Sequence, residues 1–325
     1  MKLSIEKISF PMKMPFEITG HVFDGIDTVR VTLEDKGVIG RGEGVGVYYT
    51  NDFADGIMAQ LEEVAGHIEA GVIRAEVQDL LPPGGARNAL DCALWDLEAK
   101  KAGKTIWQLL GMEPRKLTSV CTVGIDTPEQ MGEQAKNLSA YPNLKIKLSG
   151  DDPIVRLEAI RKARPDATLI IDVNQGWSFE ELKEYIPHTG RLGIDMIEQP
   201  LKRGEDEELE GFVSEVPLGA DESCLSLEEY ETARKRYDVI NIKLDKCGGL
   251  TEGLKIVKRA QEDGKGLMVG NMVGTSLSMA PAYVVGQFCR FVDIDGPYFL
   301  KQDIEHGLEY GNGGVVSIPA AKLWG

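Results

Sequence analysis

The chain reads as α/β: a (β/α)₈-type barrel preceded by a small α+β unit. Eight short apolar runs, separated by amphipathic stretches, recur over roughly 180 residues, the rhythm of eight βα repeats. Three isolated carboxylates, Asp172, Glu198 and Asp221, each end such a run, 26 and 23 residues apart. That spacing is one strand, one helix and two short loops, so consecutive units bring the three to one rim of a parallel barrel. A doubly wound open sheet is the alternative, but neither GxGxxG nor GxxxxGK[ST] follows a strand.

Residues 2–46 hold alternating and β-branched runs (SIEKISF, DTVRVTLED, GVIGRGEGV) with glycine turns, which predicts an antiparallel meander. GEGVG at 42–46 lies within that meander, the wrong context for a phosphate loop. Helical patterns cover about 54–71 and 87–102, and in the second Ala89, Leu90, Ala93, Leu94 and Leu97 form one apolar face. After Pro114 the rhythm changes to strand, helix, strand, with runs at 117–123, 143–149, 167–173, 194–198, 216–220, 238–244, 266–270 and 290–295. The expected division is 1–113 for the α+β domain, 114–296 for the barrel, and 297–325 for a segment packing back on the first domain.

Hydrophobic content of 42% and charged content of 27% are ordinary for a globular chain. A net charge of −16 argues against nucleic acid or an anionic membrane as partner, and leaves a small-molecule substrate, with homo-oligomerisation open. No run reaches about 18 apolar residues, and MKLSIEKISF alternates like a strand rather than a signal peptide. Five cysteines without CxxC spacing fit reduced thiols in a cytoplasmic protein. Four histidines without ligand spacing argue against zinc.

Three hard oxygen donors at one rim suit a single Mg²⁺ with positions left open for substrate. One unit before Asp172, Lys145 and Lys147 lie two apart on a run and point the same way. Two ammonium groups on one face repel, which predicts lowered pKa values and a general base near neutral pH. Lys243 sits 22 residues after Asp221 among Val239, Ile240, Ile242 and Leu244, near the end of the sixth run. Second and sixth strands are diametrically opposed in an eight-stranded barrel, so Lys147 and Lys243 flank the metal from two sides. Lys246, in the following loop, reads as a rim charge. Asp293 and Asp295 form a DID pair on the eighth run, facing one side, fit for a second metal or a cationic substrate group. The bland alternatives are a solvated strand edge for the lysine pair and a polar strand end for DID.

These residues, in this order, resemble the enolase superfamily, specifically its muconate-lactonizing-enzyme subgroup. The resemblance rests on ALDCALWDLEAKKAGKTIWQLLG (89–111), KIK, DVNQGW, IEQP, ADES and NIKLDKCGG (241–249), and spans nearly the whole chain. It implies a capping domain over a modified TIM barrel, with Asp172, Glu198 and Asp221 as Mg²⁺ ligands. Lys147 and Lys243 would be the acid/base pair and Lys145 their assistant. Within the subgroup, DID is similar to the DxD feature of dipeptide epimerases, which holds the substrate's α-ammonium. The implied reaction is a 1,1-proton transfer through an enediolate that inverts the Cα of a dipeptide's C-terminal residue. L-Ala-D/L-Glu is the first-choice substrate.

Further substrate contacts are expected from Thr122 and from the cap loops at 16–24 and 47–53, through Phe16, His21 and Tyr48. The first loop carries no arginine to meet a glutamate side chain. His21 substitutes for it, or Phe16, Ile18, Tyr48 and Tyr49 wall an apolar side chain, or Asp24 favours a cation. The alternatives are an N-succinylamino-acid racemase or o-succinylbenzoate synthase, a muconate cycloisomerase, and a non-catalytic binding or scaffold barrel.

Overall fold

The computed structural model describes residues 1–18, 21–148 and 150–325, with the side chains of 15–18 and 21–23 left out. The proposed contacts of Phe16 and His21 therefore lie outside the described residues. Strands Lys2–Ile18, His21–Asp35 and Val38–Gly44 form the expected antiparallel meander. Its inner face buries Val29, Val31 and Leu33 against helices Ala54–Glu63, Ala65–Gly71 and Gly85–Lys101. The expected helix over 54–71 is thus two helices that break at Val64. A further helix, Arg74–Leu80, was not expected.

The glycines of GRGEG have a packing role. Gly40, Gly42 and Gly44 alternate along the third strand, so all three face the helix Gly85–Lys101. A Cβ on any of them would collide with the carbonyl oxygens of Ala93, Ala89 or Gly85. Only glycine lets strand and helix backbones approach this closely.

Eight parallel strands follow, Cys121–Val123, Asn143–Lys147, Thr168–Asp172, Met196–Glu198, Leu218–Ala220, Val239–Ile242, Gly266–Val269 and Phe291–Val292, paired in chain order. Val120 N donates to Val292 O at 2.8 Å, which joins the last strand to the first. Val120, Ile170, Met196, Val239, Met268 and Phe291 meet inside as one cluster. Each such buried side chain contributes about 1.5–3 kcal/mol relative to exposure. This is a packed barrel interior, and the open-sheet alternative is not what forms. The run at 117–123 is split, because Leu117–Thr118 pairs antiparallel with Val315–Val316 before the chain enters the barrel.

The helix Gly85–Lys101 also grips the barrel. Arg87 donates to Cys247 O at 2.7 Å and forms a buried ion pair with Glu252. Asp91 accepts from Thr251 N at 2.9 Å. Gly248 and Gly249, at φ of 75° and 110°, make this approach, since a Cβ on either would strike Arg87 or Asp91. Removing one partner of the buried Arg87–Glu252 pair costs about 3–5 kcal/mol. The chain's end adds further ties: Arg41 donates to Leu323 O (2.9 Å), and Gly325 N donates to Asp96 (2.7 Å). Among the described residues, no helix is long and apolar enough to cross a membrane.

Candidate active site

Parallel register sets the site. Lys147 pairs with Asp172, and Asp172 with Glu198, so three charged side chains stand abreast at the C-terminal ends of adjacent strands. Glu198 pairs with Gly219, and Asp221 lies two residues beyond it on the same face. Lys243 directly follows the strand Val239–Ile242, in extended conformation, and is buried. Asp293 follows the last strand and Asp295 occupies the residue just before the short helix Gly296–Phe299. The DID pair therefore lies just past the eighth strand rather than on it. Both aspartates still reach the same cavity, of about 410 Å³, which Thr122, Tyr48, Lys147 and Lys243 also line.

The side chains form one charge network. Lys147 Nζ lies 2.6 Å from Asp172 Oδ2 and donates to Asn174 Oδ1 at 3.0 Å. Lys243 Nζ lies 2.7 Å from Asp221 Oδ2. Lys145 stands among Asp172 (3.1 Å), Glu198 (2.8 Å) and Asp293 (3.0 Å). Asn241 donates to Glu198 Oε1 at 2.7 Å, and Asn271 donates to the carbonyl of Asp293 at 2.7 Å.

Burial and pairing decide the protonation states. Burial alone would raise Asp172, but Lys147 and Lys145 outweigh it and hold the carboxyl below its usual range. Asp221 is held lower still, where Lys243 and Lys246 overcome its desolvation. Lys145 reverses the expectation from lysine–lysine repulsion. Burial works to lower it, but Glu198, Asp293 and Asp172 drive it well above the ordinary lysine value. Lys243 is likewise raised, Asp221 outweighing burial and the Lys145 charge. Three carboxylates at contact distance simply dominate one neighbouring ammonium. Asp295 moves up, through burial and the Asp293 carboxylate beside it.

Lys246 is also a correction, being no rim charge. It is buried in the short helix Leu244–Cys247 and donates to Asp221 at both Oδ1 (2.8 Å) and the carbonyl (2.6 Å), and to Asn241 O (3.0 Å). Sequence reasoning also passed over Asn241, Asn271 and Glu222. Asn241 carried a signal, as an amide within the apolar run VINIKL.

A divalent ion fits this donor set. Hard carboxylate oxygens of Asp172, Glu198, Asp221 and Asp293 crowd this rim within contact distance of Lys145, Lys147, Lys243 and Lys246. Among the described residues, no three Asp, Glu, His or Cys side chains are grouped so as to hold a metal ion as they stand. Lys145 instead sits between Asp172 and Glu198, so the hard oxygens converge on a cation already in the fold. Asp172, Glu198 and Asp221 offer the hard oxygen donors that could hold Mg²⁺.

Two family profiles cover the chain. The mandelate racemase / muconate lactonizing enzyme N-terminal domain matches residues 2–111, and the enolase C-terminal domain-like profile matches residues 130–322. The chain belongs to this family. Its fold is the enolase-like one, a TIM-type barrel with an N-terminal cap. An N-acetyl-D-glutamate racemase of Pseudoalteromonas sp is 42% identical over 77% of this chain and 79% of its own length. The L-Ala-D/L-Glu epimerase of Escherichia coli (strain K12) is 39% identical over 94% of this chain and 96% of its own. An enolase family member from Agrobacterium tumefaciens with homology to dipeptide epimerases, solved with sodium and L-Ala-L-Glu, superposes with a TM-score of 0.95 at 41% identity. That match covers 99% of both chains. The dipeptide epimerase of Enterococcus faecalis, solved with Mg and L-Leu-L-Tyr, gives 0.91 at 28% identity over 99% of this chain and 98% of its own.

Proposed function

We propose that this chain is a Mg²⁺-dependent dipeptide epimerase, an isomerase that inverts the Cα of a dipeptide's C-terminal residue by two-base 1,1-proton transfer. L-Ala-D/L-Glu is the first substrate to test. The carrying observation is that Lys147 and Lys243, at the C-terminal ends of the second and sixth barrel strands, line one cavity with the carboxylate row between them and Asp293 and Asp295 beside it.

Bound Mg²⁺ would supply Lewis acidity toward a substrate carboxylate, which makes the adjacent C–H acidic enough for a lysine. The side chains do the rest. Asp221 keeps Lys243 protonated, ready to deliver a proton to one face of Cα. Lys147, on the other side, exchanges with the opposite face, and the two swap roles for the reverse reaction. Asp293 and Asp295 hold the N-terminal ammonium by charge and hydrogen bonds. Thr122, paired with Lys145 in the strand register, and Tyr48 contact the bound dipeptide.

On this reading residues 1–113 cap a barrel of residues 114–296, and residues 297–325 return toward the cap. Five unpaired cysteines, four of them buried, support a cytoplasmic setting.

A second reading is racemisation of an N-acylamino acid, favoured by the 42% identity to the N-acetyl-D-glutamate racemase. Such a substrate brings no ammonium to Asp293 and Asp295. One experiment separates the two: proton NMR in D₂O with Mg²⁺, following exchange at Cα in a dipeptide library and in N-acetyl and N-succinyl amino acids. Exchange in dipeptides supports the epimerase, whereas exchange confined to the N-acyl compounds overturns it for the racemase.

A further inference from the structure

The geometry points to Gln199 as a positioning residue that ties two of the proposed metal ligands, Glu198 and Asp221, into one unit. This rests on the reading of those carboxylates as ligands.

Gln199 follows Glu198 and precedes Pro200, and its side chain is completely buried. Its φ is +39°, in the left-handed region where an L side chain is strained. The backbone is pinned there from two sides. Gln199 N donates to Gly219 O on one neighbouring strand, and Gln175 N, from the loop after Asp172, donates to Gln199 O, both at 2.8 Å. This turn carries the side chain across to the end of the next strand. There Oε1 accepts from Asp221 N (2.9 Å) and Ser223 N (3.0 Å). Nε2 has Leu201 O (2.8 Å), Ser223 Oγ (2.8 Å) and Tyr237 OH (3.1 Å) within hydrogen-bond distance, and they share its two protons. Two backbone N–H groups on one side and a carbonyl on the other leave only one orientation for the amide.

Behind the amide the network continues inward. Tyr237 OH and Ser223 Oγ donate to Asp206 Oδ2 at 2.7 and 2.6 Å, and Arg236 holds Asp206 Oδ1 at 2.6 Å. Gln199, Ser223, Tyr237 and Asp206 are all absent from the substrate cavity's lining. They therefore act only through the residues they hold. Gln199 aims Asp221 through its own N–H and Glu198 through the shared peptide. Partners outside the ligands themselves set metal affinity through such orientation.

The test is calorimetric titration of Mg²⁺ into wild type, Gln199→Met and Tyr237→Phe, with melting curves alongside and turnover measured across a Mg²⁺ series. Gln199→Met keeps the side chain's length but none of its hydrogen bonds, and should weaken Mg²⁺ by roughly 10–100-fold. Its kcat should recover substantially at high Mg²⁺, because the carboxylates are misaimed rather than missing. Tyr237→Phe removes one distant anchor and should weaken Mg²⁺ by a few-fold. If Gln199→Met does not fold, the tyrosine variant decides alone. Affinities within twofold of wild type in the folded variants would overturn the assignment. So would a kcat loss in Gln199→Met that no Mg²⁺ concentration recovers. Wild type that takes up no Mg²⁺ would be a different failure, of the metal reading itself, and would remove this inference with it.

Discussion

Lys147 and Asp172 occupy the same register position on adjacent parallel strands, and their charged ends meet at 2.6 Å. On the opposite side of the cavity Lys243, two residues past the register position of Asp221, meets that carboxylate at 2.7 Å. Each proposed proton-transfer lysine is thus held by a carboxylate that is also a proposed metal ligand. The prediction is that Lys147→Ala and Lys243→Ala each lower epimerisation by ~10²–10⁴-fold or more while leaving Mg²⁺ binding in place. Deuterium incorporation from each epimer, with Mg²⁺ titration in parallel, checks both halves. Turnover surviving in either variant would end the two-base scheme.

Asp172 is ionised despite complete burial, because two lysines hold it so. A buried carboxylate maintained in that state is costly unless it serves a cation. Asp172→Asn keeps the shape and removes the charge. The expected result is Mg²⁺ affinity lower by on the order of tenfold or more, with activity partly recovered as Mg²⁺ is raised. Unchanged affinity would remove Asp172 from the ligand set.

The barrel was legible because its strand ends are chemically abrupt. ATLIIDV and IDMIEQP pass from apolar to acidic within one residue, and the structure places those acids at Thr168–Asp172 and Met196–Glu198 strand ends. The helix Arg74–Leu80 was missed because seven residues of RAEVQDL bury only Val77, too little for a helical period to register. The break at Val64 was missed for a related reason, since the apolar pattern runs on through both helices.

Side-chain environment was less legible than position. Lys145 was placed on its strand correctly, yet its charge state depends on Glu198 and Asp293, which come from distant stretches of chain. Lys246 reads as a surface charge until Asp221, Cys224 and Asn241 close around it. Gln199 carries no periodic or charge signal at all. Its importance lies in a left-handed turn that forms only in the folded barrel.

Stability should carry a pH signature from the junction of cap and barrel. Burial pushes the Asp91 carboxyl up to about 6, against the hydrogen bond from Thr251 and the charges of Arg74 and Arg87. A carboxyl raised in the folded state binds a proton that the unfolded state has already lost. Its contribution therefore falls as pH rises from about 4 to about 6, and is flat above. Asp91→Asn removes that term, so the variant should gain on wild type across this window by up to about 3 kcal/mol. Chemical denaturation at pH 4.5 and 7.5 measures the difference, and a pH-independent offset between the two proteins would contradict the assignment.

Asp293 and Asp295 decide which substrate branch the site serves. Asp293 is engaged by Lys145 and Asn271, while Asp295 is pushed up by burial and by the Asp293 carboxylate. Two carboxylates this close repel, and an incoming ammonium relieves that repulsion while donating a hydrogen bond to each. An N-acylated amino acid offers only a neutral amide at that point. Asp295→Asn should therefore raise KM for free dipeptides at least tenfold and change kcat/KM for N-acetyl or N-succinyl amino acids by far less. Steady-state kinetics on matched pairs, such as L-Ala-L-Glu against N-acetyl-L-glutamate, gives the comparison directly. Equal losses on both would mean that Asp295 shapes the pocket without reading the ammonium, and the identity to the N-acetyl-D-glutamate racemase would then become the stronger guide to substrate.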